Sequence, residues 1–291
     1  IPDNVMRKCT ELGKVTLPDS VQEIGIAAFS ACSVLGELEI PENVKKIGRS
    51  AFENTNLKEL KLPSSLETIG AFIINGVNGI TSIEIPKSLK EAESYGFNDD
   101  GPFTGSKIKK VTFEKGMIKI PNNLMKKSKE LEKVSLPNTL QEIGEYAFDS
   151  CSVLKEIQIP RSVKTIGHDA FAHTNLQELK LPTSLEEIGY SILYGVKDVT
   201  SIEIPNKLKI ARCYGNGDGP FAGSKIKEVT FEKGLKKIPS HLFHNASQLR
   251  EVKLLDEMTD IDSYAFENCT NLRSVELPIS IKTIGDGAFS G

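Results

Sequence analysis

One phrase recurs along the whole chain and constrains the fold more than any single residue does. It reads Leu-x-x-Leu-x-Leu-Pro, with Val, Ile or Phe replacing some of the leucines. It begins at Leu12, Leu35, Leu57, Ile80, Ile108, Leu131, Leu154, Leu176, Val199, Ile226, Leu249 and Leu272. Nine of the eleven spacings are 22 or 23 residues, and the other two are 28 and 27. A self-similar period of this size specifies units that cannot bury their apolar face alone and must stack on their neighbours. Such a stack offers a surface for holding something and seldom a site for breaking bonds.

Within one unit the residues describe a short coil. In Leu57-Lys58-Glu59-Leu60-Lys61-Leu62-Pro63 the apolar positions alternate with charged ones, as in a strand with one inward face. Pro63 has no N–H to give to a ladder and ends the strand. A stretch such as Ser65-Leu66-Glu67-Thr68-Ile69-Gly70 follows, and its glycine is expected to supply a left-handed turn. An Ala-Phe pair comes next in most units, at Phe29, Phe52, Phe148, Phe171, Phe266 and Phe289. These rings are expected to stack inside the coil. The fold class is therefore a leucine-rich repeat solenoid, a curved right-handed coil of about twelve units. Each unit places one short strand in a parallel sheet, with short turns or helical pieces opposite.

A longer period overlies the short one. Residues 1–90 align without gaps to 120–209 with 54 identities, so the chain divides into five-coil blocks 1–119 and 120–237 and a truncated 238–291. Features shared by two copies follow from duplication and carry no functional weight. The whole of 1–291 reads as a single solenoid. The first residue is Ile1 and the last unit stops at Gly291, and we expect a piece of a longer protein.

Composition excludes several function classes. Apolar residues make up 39 %, charged residues 26 %, and the net charge is −3, so no field favours nucleic acid or an anionic membrane. No apolar run has the length of a membrane span. His168 and His173, and His241 and His244, lack the partners of a zinc site. No nucleophile elbow or phosphate-cradling loop appears, and we expect no catalysis and no cofactor. Cys9, Cys32, Cys151 and Cys269 each stand three residues before a repeat start, a recurrence that marks a small packing position. Cys9 and Cys32 lie in adjacent coils, where strand spacing permits a bridge, yet the odd total of five argues against a disulfide framework. Cys213, in an inserted loop, is the candidate reactive thiol.

The order Ala-Phe-x-x-Cys-x-x-Leu-x-x-Leu-x-Leu-Pro-x-x-Val-x-x-Ile-Gly, as in 147–167, resembles the BspA-like leucine-rich repeat family. The resemblance covers nearly the whole chain and fails chiefly in the two long units. It implies a secreted or surface-attached protein with a binding or adhesin-like role toward host matrix or other cells, and it supplies no catalytic residues.

Two places remain for a partner. The outward residues of the leucine phrases form a face with ten Glu against six Lys and no aromatic side chain. That composition describes a solvated sheet, since interface anchors favour Trp, Tyr and Arg. The long units carry Tyr95, Phe97, Asn98, Asp99 and Asp100 in one loop and Tyr214, Asn216 and Asp218 in the other. These loops should emerge at one edge, roughly 24 Å apart at strand spacing, with Tyr95 and Tyr214 as anchors. Their Asn and Asp oxygens lack the spacing and distal Glu of a calcium loop. The expected partner is a protein or glycan. A structural spacer, or a targeting module of a larger surface protein or enzyme, is the alternative.

Overall fold

The leucine phrase builds the first wall of each coil, and among the described residues eight of the twelve phrases form a strand that pairs in parallel with a neighbour. The phrases at Leu57, Leu154 and Leu176 lack the expected strand, and that at Leu272 keeps only a bridge from Val275 to Val252. In the computed structural model, which describes residues 1–96, 100–215 and 217–291, Lys14–Thr16 pairs with Glu37–Glu39. Ser82–Ile85, Lys110–Phe113 and Lys133–Ser135 form a further ladder. These strands belong to a compact unit comprising Ile1–Leu140 and Tyr146–Leu154. A second unit comprises Gln141–Glu145 and Lys155–Gly291 and repeats the pattern with Ser201–Ile204, Glu228–Phe231 and Glu251–Val252. Inward residues such as Ile83, Ile85, Val111 and Val229 are buried, and their neighbours face water. Each unit is a stack of leucine-rich repeat coils, and the described residues contain no helix.

The proline after each phrase turns the chain. Its carbonyl accepts from the N–H three residues on, at Pro18–Val21, Pro41–Val44 and Pro63–Leu66, with N···O distances of 3.0–3.1 Å. That turn swings Val44 and Leu66 into the core, where both are fully buried.

A second parallel ladder then forms at the Ile-Gly pairs, which the repeat phrase did not announce. In the first unit it joins Glu23–Ile24, Lys46–Ile47, Thr68–Ile69 and Glu91–Ala92. In the second it joins Glu142–Ile143, Thr165–Ile166, Glu187–Ile188 and Ile210–Ala211. The glycines of these pairs do not adopt the left-handed turn expected of them; the residue two places on does so, as at Ala27, Ser50, Tyr146, Asp169 and Ser191, with φ of 50–54°. The glycine is needed for a different reason. A Cβ at Gly48 would lie 2.7 Å from the Gly25 carbonyl carbon, and one at Gly189 only 2.3 Å from the His168 nitrogen. Neighbouring coils touch backbone to backbone at this row. Each glycine N–H also donates to the isoleucine carbonyl of the preceding coil, 2.7 Å at Gly48→Ile24 and 2.8 Å at Gly167→Ile143.

The Ala-Phe segment makes the third wall. Here the donors point forward, with Ala27, Phe29 and Ala31 N–H groups bonding the carbonyls of Arg49, Ala51 and Glu53 in the next coil at 2.8–2.9 Å. The buried rings stack as expected, with centroids 5.9 Å apart for Phe29–Phe52 and 5.2 Å for Phe243–Phe266. Ile74, Met125 and Leu193 hold the same column in coils without the phenylalanine, and each is fully buried.

The recurring small position lies just beyond that ring. Cys32, Cys151 and Cys269 donate their thiols to carbonyls of the preceding coil at 3.0–3.2 Å. Thr55 and Thr174 use the same place to bond the carbonyl of their own phenylalanine at 2.8 Å. All five cysteines are free, so no bridge joins Cys9 to Cys32. Burial raises the thiol of Cys32, raises that of Cys151 strongly, and pushes Cys269 up to about 12.

Two outcomes follow from this packing. Gly189→Ala should lower the stability of the fold by about 1–3 kcal/mol, because the crowded backbone cannot yield. Gly13→Ala, with nothing within 4 Å of its Cβ, should change it by no more than about 0.5 kcal/mol; urea unfolding of the two variants compares them. A thiol reagent should label Cys9 and Cys213, the two exposed cysteines, rapidly in the native state and reach the other three on denaturation, since thiolate access sets the rate.

Candidate functional site

The described ends of each long unit's insertion are bridged as in a hairpin. Tyr95 and Asp100 exchange both backbone hydrogen bonds at 3.0–3.1 Å, and the Tyr214 N–H donates to the Asp218 carbonyl at 3.1 Å. Gly217, at a φ of 111°, closes the second hairpin by donating to the Tyr214 carbonyl at 2.7 Å. Of the residues singled out in the sequence, Phe97, Asn98, Asp99 and Asn216 lie outside the described residues.

The two aspartates pin the hairpins to the next coil. Asp100 Oδ1 accepts from Lys127 Nζ at 2.7 Å. Asp218 Oδ1 accepts from Asn245 Nδ2 at 2.8 Å, and Asn245 in turn accepts from Asn268 at 2.9 Å. The backbone is held as well. The carbonyl of Gly101 accepts from the Phe72 N–H at 3.1 Å and that of Gly219 from the Ser191 N–H at 3.0 Å. A Cβ on either glycine would meet the carbonyl oxygen of Asn123 or His241 at 2.1 Å. Among the described residues no group of three or more His, Cys, Asp or Glu is arranged to hold a metal ion.

With the aspartates turned inward, the tyrosines turn outward. Tyr95 is 51 % exposed and Tyr214 is 64 % exposed. Each rests on a column of side chains that the sequence reading missed. The Arg49 guanidinium lies 3.6 Å from the Tyr95 ring centroid, a cation–π contact that holds the ring face-on. Tyr214 packs on Tyr190 at 5.2 Å, Tyr190 stacks on His168 at 4.2 Å, and His168 Nε2 meets Glu145 Oε1 at 2.8 Å. Beside this column Arg212 Nε bonds Glu187 at 2.5 Å, which lifts the guanidinium further above its ordinary range. Glu145, His168 and Tyr190 all occupy the first variable position after Ile-Gly. Reading that position as a ladder, one residue per coil, was the signal available in the sequence.

The leucine-phrase face is a weaker candidate. Register sets Lys14 against Glu37, bonded at 2.7 Å, and the pairing raises the lysine and lowers the carboxyl. The same register sets Lys110 against Lys133 and Glu228 against Glu251, like charges opposed. Pairs of this kind cancel or repel and build no concentrated field. A shallow groove in the first unit is lined by Glu59, Lys61, Ser82, Glu84, Lys110 and Thr112, without an aromatic side chain.

The stacked coils, three hydrogen-bonded walls and edge hairpins define a leucine-rich repeat protein. The sequence matches the family described as a BspA-type leucine-rich repeat region over residues 1–102, 99–215 and 216–291, and the chain belongs to that family. Among solved structures it is similar to a leucine-rich repeat protein from Bacteroides ovatus, with 28 % identity and a TM-score of 0.69 over 98 % of this chain and 78 % of that one. It is also similar in fold to a leucine-rich repeat protein from Eubacterium ventriosum, with 22 % identity and a TM-score of 0.51 over 100 % of this chain and 80 % of that one. A comparison with curated proteins returned no match.

Proposed function

We propose that this chain is a non-catalytic interaction module of an extracellular or cell-surface protein, and that its edge hairpins hold a protein or glycan partner. One observation carries the reading: Tyr95 and Tyr214 stand exposed opposite Asp100 and Asp218, whose carboxylates are already bonded to the next coil. A tyrosine in that setting offers apolar area and a polar tip at little entropic cost. Membership of the BspA-type family supports the surface setting. Host matrix proteins are the first partners to try. No helix among the described residues is long and apolar enough to cross a membrane.

The charge-balanced leucine-phrase face favours a second reading, in which the coils act as a spacer or as a targeting module for some other domain. Capture of matrix proteins and glycans on an array distinguishes the two. The Tyr95→Ala/Tyr214→Ala variant should lose about tenfold or more in affinity for a captured partner, as loss of a central aromatic anchor does. Its melting temperature should stay close to that of the parent, because both residues are more than half exposed and neither belongs to the core. Capture that is unchanged by the double substitution rules out the hairpins, and a blank array supports the spacer.

A further inference from the structure

We infer that the second hairpin, closed by Tyr214 and Asp218, rests on a proton-sensitive histidine pair, so that mild acid loosens it while the first hairpin stays closed. The duplicated blocks carry the comparison. Asn123, Lys126, Tyr146 and Asp149 form the floor beneath the first hairpin, and 118 residues later His241, His244, Tyr264 and Glu267 occupy the same places.

In the first floor Lys126 is buried, with its Nζ 4.1 Å from the Tyr146 ring centroid and 3.9 Å from Asp149 Oδ2. An ammonium there meets an aromatic face and a carboxylate, and no imidazole stands in this floor. In the second floor His244 is buried, and its Nε2 lies 3.1 Å from Glu267 Oε2. Its Nδ1 lies 3.1 Å from His241 Nδ1, with the two rings within 11° of parallel. His241 stacks on Tyr264 at 5.1 Å. The His244 ring fills the space against Gly217, where a Cβ would fall 2.0 Å from Cε1, and the His244 carbonyl accepts from the Gly219 N–H at 3.2 Å.

That Nδ1···Nδ1 contact holds one proton. One nitrogen donates and the other accepts; when both imidazoles are protonated, two Nδ1–H groups and two positive charges face each other and the bond is lost. The groups facing the pair are Glu267 and Tyr264 from the next coil and, on the hairpin side, Asp218, which Asn245 engages. Glu267 balances one positive charge and leaves the second uncompensated. Burial first, and then His244, hold the His241 imidazole below its ordinary value. A histidine held low in the closed form binds its proton more readily when the form opens. The closed hairpin therefore keeps full stability above about pH 7 and loses it as pH falls through about 6.5.

The test uses hydrogen exchange of the intact chain at about pH 7.5 and about pH 5.5, corrected for intrinsic rates. Peptides spanning 211–223 are read against 93–105 as the internal control. Protection of 211–223 should fall severalfold at the lower pH while 93–105 is unchanged. His241→Asn/His244→Lys, which copies the first floor, should abolish the difference. If that variant fails to fold, His241→Asn alone removes the second site and should give the same result. Equal behaviour of the two peptides in the parent, or a pH response that survives the substitutions, overturns the inference. No ligand enters the measurement, so its result stands apart from that of the array.

Discussion

At the Ile-Gly row the coils meet backbone to backbone, with no side chain between them, and the rest of the fold depends on that contact. Each coil presses its main chain onto the coil before it, with no room for a β-carbon at Gly48, Gly70, Gly167 or Gly189. The same glycines donate short hydrogen bonds across the gap. Contact this tight fixes the rise from coil to coil, and the strand register then follows, since Ile24, Ile47 and Ile69 must bury directly above one another. The leucine strands and the phenylalanine column occupy the spacing that the glycine row sets. A helix on this side would hold the coils farther apart, as helical axes pack 8–10 Å apart and adjacent strands about 4.8 Å.

A spine of this kind leaves particular positions free to vary. The residues just after the glycine point out of the coil and fall into columns. What they carry differs between the two long-loop copies. Arg49 reaches over Ala71 to the Tyr95 ring, whereas Tyr190, which stands at the place of Ala71 in the second copy, fills the gap between His168 and Tyr214. The floors beneath the hairpins diverge in the same way, lysine over one and histidine over the other. Duplication gave both copies one geometry, and point changes at these positions gave each hairpin its own support.

Much of this was legible in the residues, and the failures have physical reasons. The period, the inward leucines, the strand-ending prolines and the buried phenylalanines could be read because each is a local pattern of apolar and polar side chains. The Ile-Gly glycine was read for the wrong property. A glycine in a turn can be there for its φ or for its missing β-carbon, and only the neighbouring coil, 22 or 23 residues away, decides which. The left-handed positions fell instead on Ala27, Ser50 and Tyr146, residue types with no preference for that conformation, and third-wall hydrogen bonds from the Ala27 and Ser50 N–H groups hold those two there. Tyr95 and Tyr214 were identifiable as exposed because they sit in insertions. Their supports were not, since Arg49 lies 46 residues before Tyr95 and adjacency of that kind exists only after stacking.

Residue-resolved hydrogen exchange of the native chain tests the central claim, that backbone contact at the glycine row is the structural spine. The amides of Gly48, Gly70, Gly167 and Gly189 should be among the slowest in the molecule, exchanging only through opening of the stack. Exchange at those amides as fast as at Tyr95 and Tyr214 would contradict the account. It would place the source of order in side-chain packing instead.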